Sequence, residues 1–501
     1  MNLNCTYKDI EWSECCFDKI EETICDADMI VPDAKSDIAK VIGVSAFVSI
    51  FSSEASSGRI NISGEVKFNV LYIGDEENAK INSITKTAPF THICACESCD
   101  GEILCSAEGR ISNSSFSIVN SRRLKVSSAI ALSVKAYSSS KKSALVLAEG
   151  AEVIEKHVSL PYMQIVARRE ISINETLDLP VGKSAVSSIL RSRASVTSSE
   201  AKVLNNKLII KGTVLISILY LSDSSVCDAS IEMPFTEVTD CEGMSHELDA
   251  DISVSVSSCD ITPETDLSGD YKMLNTSIVL CCNIFASKTE DVSLITDAFL
   301  PHGKIKGKKE SLTVCPISES ESEEEFVKEN LKLQSLPSIL RVFDLEAYVS
   351  ELSIDNSGLI SGFVNVSVLY ISGDGSNPIA SFNGRVPFSH KCASSPASVN
   401  AHVKHVSYSI TSAEEIELRI DISFSLSSNS KEEIFFFSSL EEDDYTPPER
   451  ASVIISFVDD NDTIWSVAKK HNISLSELTS ANAIEDASAP LKKGSKLIIP
   501  R

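Results

Sequence analysis

The chain is expected to be mainly β: three tandem antiparallel β-rich domains followed by a small βααβ module. Three observations predict this. A strand-like segment recurs three times at near-equal spacing. Each copy alternates apolar and polar residues with period two, the pattern of a half-buried strand. The C-terminal stretch from Ala451 breaks that texture and reads strand, helix, helix, strand.

The recurring segment is ISGEVKFNVLYI at 62–73, IKGTVLISILYL at 210–221 and ISGFVNVSVLYI at 360–371. Its shared glycines are Gly64, Gly212 and Gly362, offset by 148 and 150 residues. Val66, Phe68 and Val70 face one way in the first copy, and Glu65, Lys67 and Asn69 the other. Each copy ends on a Leu-Tyr pair: Leu71-Tyr72, Leu219-Tyr220 and Leu369-Tyr370. Each tyrosine is expected to be a strand-end core residue with its hydroxyl in water. A Pro-Phe pair follows in register at Pro89-Phe90, Pro234-Phe235 and Pro387-Phe388. Later strands read LKVSSAIALSV (124–134), KMLNTSIVLCC (272–282) and ELRIDISFSL (417–426). Upstream, Ile42, Leu190 and Leu340 each lie 22 residues before the shared glycine. Each closes a short segment, such as 32–42 and 180–190, expected to form one or two helical turns.

These landmarks divide the 501 residues into units at 1–150, 151–300 and 301–442, a linker at 443–450 and the module at 451–501. That agrees with a soft prior of about 150 residues per domain. The third unit opens on a charge-split stretch, Lys304, Lys306, Lys308 and Lys309, then Glu319, Glu321 and Glu323 to Glu325. It reads as a mobile excursion. The run EEDDYTPPE at 441–449 reads as an acidic linker. Repeats of this length suit tandem domains on a string better than a solenoid.

Composition excludes several functions. Hydrophobic residues make up 43%, enough for real cores. The net charge is −26, so no basic excess exists to displace phosphate counterions, and neither a nucleic acid nor an anionic membrane is the expected partner. Aromatics are only 6%, too few for a base-stacking platform. The cysteines number fifteen, an odd count, and the acidic segment from Met1 to Glu22 has no secretory pattern. Both point to a reducing cytosol. No run of about 18 apolar residues suggests an integral membrane protein.

In the C-terminal module, VIISFV (453–458) and KLIIP (496–500) read as strands. Asp462 is the expected N-cap of a helix over 463–471, and Ser474 that of a second over 475–482. Segment 450–501 holds seven basic and six acidic residues, net +1, so the rest of the chain carries −27. The module resembles the LysM domain. Asn461-Asp462-Thr463-Ile464-Trp465-Ser466-Val467-Ala468 follows its first-helix signature, Leu478 and Asn482 its second helix, and Gly494 to Pro500 its ending. Asn461 stands where the family has glycine. The resemblance implies an N-acetyl-sugar groove between two loops, carried here by Asp462, Thr463, Ile464, Asn482, Ala483 and Ile484. Ile464 and Ile484 would supply an apolar shelf. Val467 and Leu478 are read as core, and Trp465 as either core or the anchor of an interface.

The glycine, strand, Leu-Tyr and Pro-Phe pattern of the three units resembles the SPOCS domain. SPOCS domains followed by one LysM resemble the SipL family of clostridial spore formers. That resemblance implies a non-enzymatic scaffold of spore coat and envelope assembly in the mother cell, at the forespore surface. It implies docking through LysM onto the stage IV morphogenetic ATPase that encases the forespore, and recruitment of other coat proteins; because partly buried aromatics dominate interface hot spots, Trp465 is the expected anchor. The alternative is a peptidoglycan-binding protein of the cell wall or spore cortex.

Other motifs carry little chemistry. His92, Cys94, Cys96 and Cys99 have the types and spacing of a zinc site, but the matching positions of the other repeats lack ligands, so incidental thiols are expected. Val181-Gly182-Lys183-Ser184 ends like a phosphate-binding loop, yet Leu177 stands where its first glycine belongs. No hydrolase or dinucleotide motif occurs, and neither enzyme activity nor a cofactor is expected.

Overall fold

The computed structural model describes residues 3–56, 58–76, 80–96, 103–223, 225–314, 320–333, 337–373, 379–392, 398–427, 432–446, 454–460, 462–484 and 491–500. The first body contains β1 (Asn4–Ile30), β2 (Ile38–Ser56), β3 (Arg59–Gly74), β4 (Ile81–Ala95), β5 (Ile103–Asn120) and β6 (Arg123–Glu149). They form two antiparallel three-stranded sheets, ordered β1-β6-β5 and β2-β3-β4, that close over one core. The second body repeats this with β7 (Glu152–Asp178), β8 (Ser188–Leu204), β9 (Lys207–Ser222), β10 (Ser225–Asp240), β11 (Asp249–Glu264) and β12 (Met273–Phe299). Its sheets are β7-β12-β11 and β8-β9-β10.

In the third body two described strands stand in the place of each long strand. β13 (Lys304–Val314) and β14 (Ser320–Lys332) replace the first, and β19 (Glu415–Ser427) and β20 (Glu432–Asp443) the last. Between them lie β15 (Ile339–Ile354), β16 (Leu359–Ser372), β17 (Ile379–Lys391) and β18 (Ser398–Ser412). The sheets are β14-β19-β18, β15-β16-β17 and the pair β13-β20. The charge-split stretch is therefore not an excursion. Its lysines lie in β13, paired with β20 from Lys304↔Asp443, and Glu323 to Glu325 lie in β14; Glu319 falls outside the described residues. The expected acidic linker likewise begins inside β20, and its residues 447–450 are outside the described set.

The repeated landmarks have a packing cause. Gly64, Gly212 and Gly362 stand directly across the ladder from Phe90, Phe235 and Phe388. Each phenylalanine ring lies over its glycine, where an added Cβ would come within 3.0, 2.8 and 2.7 Å of ring carbons. Glycine and Pro-Phe therefore recur together because one makes room for the other. Tyr72, Tyr220 and Tyr370 are fully buried. Their hydroxyls are not in water. They donate to the carbonyls of Ser36 (3.1 Å), Ser184 (3.1 Å) and Pro337 (3.0 Å). A buried hydroxyl needs such a partner. The acceptors lie in the short upstream segments, which are extended or turn-like where one or two helical turns were expected. The tyrosine holds each segment down from inside the sandwich.

The leucine beside each tyrosine points to the opposite face of its strand. Leu71, Leu219 and Leu369 meet one another, with Ile42, Leu190 and Ile379, in one buried cluster shared by all three bodies. Leu340 departs from its counterparts: it is 65% exposed, and Phe343 packs there instead. A second shared cluster joins the distal halves of the long strand pairs: Ile10, Trp12 and Ala144 of the first body, Leu160 and Leu294 of the second, Leu312 and Phe436 of the third.

The joints run around a closed ring. Asn69 donates to the carbonyl of Leu190 at 3.1 Å, joining bodies one and two. Arg191 pairs with Asp344 at 3.0 Å and Arg341 with Asp228 at 2.6 Å, joining two and three. The Ser381 hydroxyl donates to the carbonyl of Ile42, closing three onto one. The expected string of independent domains is thus a pseudo-threefold assembly within one chain. Burial of apolar surface common to three bodies is what a string lacks.

Candidate functional site

The LysM-like module is built on β21 (Ile454–Phe457), α1 (Ile464–His471), α2 (Leu475–Ala481) and β22 (Lys496–Ile499). β21 and β22 pair antiparallel from Ile454↔Ile499 to Phe457↔Lys496. The N-cap of α1 is Thr463, one residue later than expected. Its side chain accepts from the Ser466 amide, and the Ser466 side chain returns the bond to the Thr463 amide. Asp462 instead ties the loop, accepting from the Asp459 amide at 2.9 Å. Asn472, left-handed at φ 58°, ends the helix. Ser474 caps α2 as expected, in a capping box with Glu477.

The expected groove residues divide by role. Ile464 is 1% exposed and belongs to the core with Val467, Ala468, Leu478 and Leu497, so it offers no shelf. Val467 and Leu478 are core, as read from the sequence. Ile484 packs half-buried on the same cluster. The amide of Asn482 is fully used: it donates to the carbonyls of Leu478 (2.8 Å) and Ile498 (2.7 Å) and accepts from the Ile498 amide (2.6 Å). It clamps α2 to β22. Thr463 and Ala483 remain exposed, Ala483 with φ +49°. Backbone held in that sparsely populated region recurs at binding loops.

Trp465 packs half-buried against the edge of the module core, where Phe299 of the second body joins that core. Its ring meets Phe299, at the end of β12, edge-on with centroids 4.9 Å apart. Its indole N–H donates to Asp297 at 2.9 Å. Lys469, one turn on, donates to the same carboxylate at 2.6 Å. Burial alone would raise the Asp297 carboxyl; the bonds from Lys469 and Trp465 outweigh it and hold the group below the usual range. The next turn continues the contact. Asn472 donates its side-chain amide to the Gly303 carbonyl, and the His302 amide donates to the Asn472 carbonyl at 2.9 Å. His302 pairs with Glu477 at 3.0 Å, and the Leu475 amide donates to Glu152 at 3.1 Å. The stripe Trp465, Lys469, Asn472 thus docks the module on the second body. Sequence reasoning missed Asp297, Phe299 and His302, because nothing local marks a residue whose partner lies about 170 positions away. A cavity of about 360 Å³ lies beside this joint, lined among others by Asp297, Lys309, Tyr445 and Lys469.

The candidate metal ligands that lie among the described residues do not form a set. Cys94 is buried, and burial pushes its thiol up to about 11, away from the thiolate a metal needs. Cys96 is disulfide-bonded, and Cys99 lies outside the described residues. His92 faces Glu21 at 3.8 Å. Among the described residues no group of three or more His, Cys, Asp or Glu is placed to hold a metal ion. Nor, among them, is any helix long and apolar enough to cross a membrane.

Comparison with known proteins agrees with this architecture. The SipL SPOCS domain model matches residues 37–119 and 185–264, spanning β2–β5 of the first body and the equivalent strands of the second. The LysM domain model matches residues 458–500. No curated protein and no solved structure matches the chain. SPOCS and LysM are binding domains rather than catalytic ones, and together they mark a sporulation-related protein with a module of the peptidoglycan-binding type. By its SPOCS segments and C-terminal LysM domain, the chain is a SipL-like protein.

Proposed function

We propose that the chain is a non-enzymatic scaffold of spore coat and envelope assembly, acting in the mother cell at the forespore surface. In this reading the LysM module docks onto the forespore-encasing morphogenetic ATPase, and the SPOCS ring recruits other coat proteins. The third body, 301–442, is on this reading a third SPOCS domain, because Gly362, Tyr370 and Phe388 repeat the packing of its two neighbours. The observation that carries the proposal is the state of the glycan groove. Its apolar shelf residue Ile464 is buried and the Asn482 amide is saturated by the module's own backbone. Among the described groove residues little is left to bind a sugar, which favours a protein partner. Trp465 acts on this reading as the anchor to the second body, not to the ATPase, so the partner contacts are assigned to Asp462, Thr463, Ala483 and Ile484.

The second reading, peptidoglycan binding, rests on the LysM match and on the exposed backbone at Thr463 and Ala483. One pair of assays separates them. The full chain is expected to retain the ATPase from sporulating-cell extract, with Ala483→Arg abolishing retention while melting stays unchanged. Co-sedimentation with purified peptidoglycan, without ATPase retention, would establish the second reading instead.

A further inference from the structure

Two exposed surfaces, far apart on the chain, complement each other. The first is the outer face of the LysM sheet. Ile455, Phe457 and Ile498 are 56, 59 and 47% exposed there. Lys496 lies over the Phe457 ring, 5.9 Å from its centroid, and Lys492 is exposed in the turn entering β22. Among the described residues neither lysine has an ion-pair partner, whereas Lys493 is neutralised by Asp460. The second surface is the outer face of β1. Ile20 and Ile24 are 41 and 67% exposed and alternate with exposed Glu22 and Asp26. Ala131 and Ser127 stand opposite those two carboxylates on β6, and among the described residues neither carboxylate has an ion-pair partner. β1 is also an edge strand, with β6 as its one ladder partner in the sheet. An exposed edge with apolar side chains is a ready template for association.

We propose that the LysM sheet of one copy docks on the β1 edge of a second copy. Apolar residues meet apolar residues, and Lys492 and Lys496 meet Glu22 and Asp26. Pairing β1 with its own twin is disfavoured, because it brings the uncompensated carboxylates of two copies together. Pairing within one chain is excluded by distance. The module sits at Glu152 and Asp297, beside the Asn4 end of β1, which pairs with Glu149. Ile20 lies sixteen residues further along, about 50 Å away at a strand rise of about 3.3 Å per residue. The contact uses different patches on the two copies, so it is head-to-tail: each added copy leaves one free LysM sheet and one free β1 edge, unless the rotation per step closes a ring.

The test uses the full chain in sedimentation velocity over a concentration series. The wild type is expected to form a ladder that grows with concentration and shortens at high salt. Ile24→Lys and Phe457→Glu change exposed positions, so melting is unaffected; each is expected to weaken self-association about tenfold or more. An equimolar mixture of the two variants is the decisive case. The intact LysM sheet of the first fits the intact β1 of the second, so the mixture forms heterodimers and stops there. A wild type that stays monomeric to millimolar concentration, variants that assemble like the wild type, or a mixture without heterodimers would each overturn the proposal.

Discussion

The joints inside the ring and the joint that carries LysM are made differently. The three bodies are joined by shared apolar clusters, one around Leu71, Leu219 and Leu369 and one around Trp12. The LysM core takes in Phe299 alone from the described residues of the ring, and around that one apolar contact the joint is made by hydrogen bonds centred on Asp297 and His302. Apolar burial scales with area and is lost cooperatively, whereas a few polar contacts at a partly solvated joint trade against water. The difference teaches that the ring unfolds as one unit while the module can leave it intact.

The severest challenge to that contrast is Trp12→Ala. Trp12 is 2% exposed and faces residues of all three bodies, so a loss of about 3–5 kcal/mol is expected. Calorimetry should show the whole ring melting earlier in one transition; separate transitions for three bodies would break the comparison. Tyr220→Phe probes one body from within. It strips the Ser184 carbonyl of its donor and should cost about 1 kcal/mol by chemical denaturation. Asp297→Ala targets the other joint. The ring's melting temperature should hold, while hydrogen exchange rises over α1 and at Trp465.

The smallest effect is the pH dependence of two histidines in the third body. Burial pulls His390 down, but its hydrogen bonds to Glu325 and Glu323 prevail and its pKa lies above 6.5. Its stabilisation is full below pH 6.5 and is lost as pH rises through the raised value. Burial, then the charge of Arg110 from the first body, pushes His402 down to about 4. Its neutral form is favoured by the fold, so stability is lost as pH falls from about 6.5 toward about 4. Melting temperatures across pH should therefore show a shallower alkaline slope in His390→Gln and a shallower acid slope between about pH 6.5 and 4 in His402→Gln.

Much of each body was legible because strand alternation is local. Gly64, Phe90 and Tyr72 announce one sandwich, and their recurrence announces three. The ring was not legible. Leu71 alternates with Tyr72 as any strand residue does, and the pattern does not say that its outward face is covered by another body. The upstream segments read as helical from their apolar spacing, but the Tyr72 hydroxyl, together with Asn82, Ser121 and Arg122, holds the first extended. At LysM the core residues Val467 and Leu478 followed from periodicity. The role of Trp465 did not, since it depends on Phe299 and Asp297, which no local pattern links to it.

Having three equivalent bodies in one chain frees equivalent positions to diverge. Gly43, Arg191 and Asp344 each stand opposite the leucine of their own Leu-Tyr pair, and Ser45, Arg193 and Glu346 follow two residues later. Arg191 and Arg193 meet Asp344, while the Glu346 carboxyl, raised by burial and then by the Asp344 charge, takes the Tyr348 hydroxyl at 2.6 Å. A trimer of identical single bodies would place the same charge at all three joints, would fall apart on dilution, and would carry three LysM modules. The covalent trimer has no dissociation constant, and its stoichiometry is written into the chain: three similar bodies for every one LysM module.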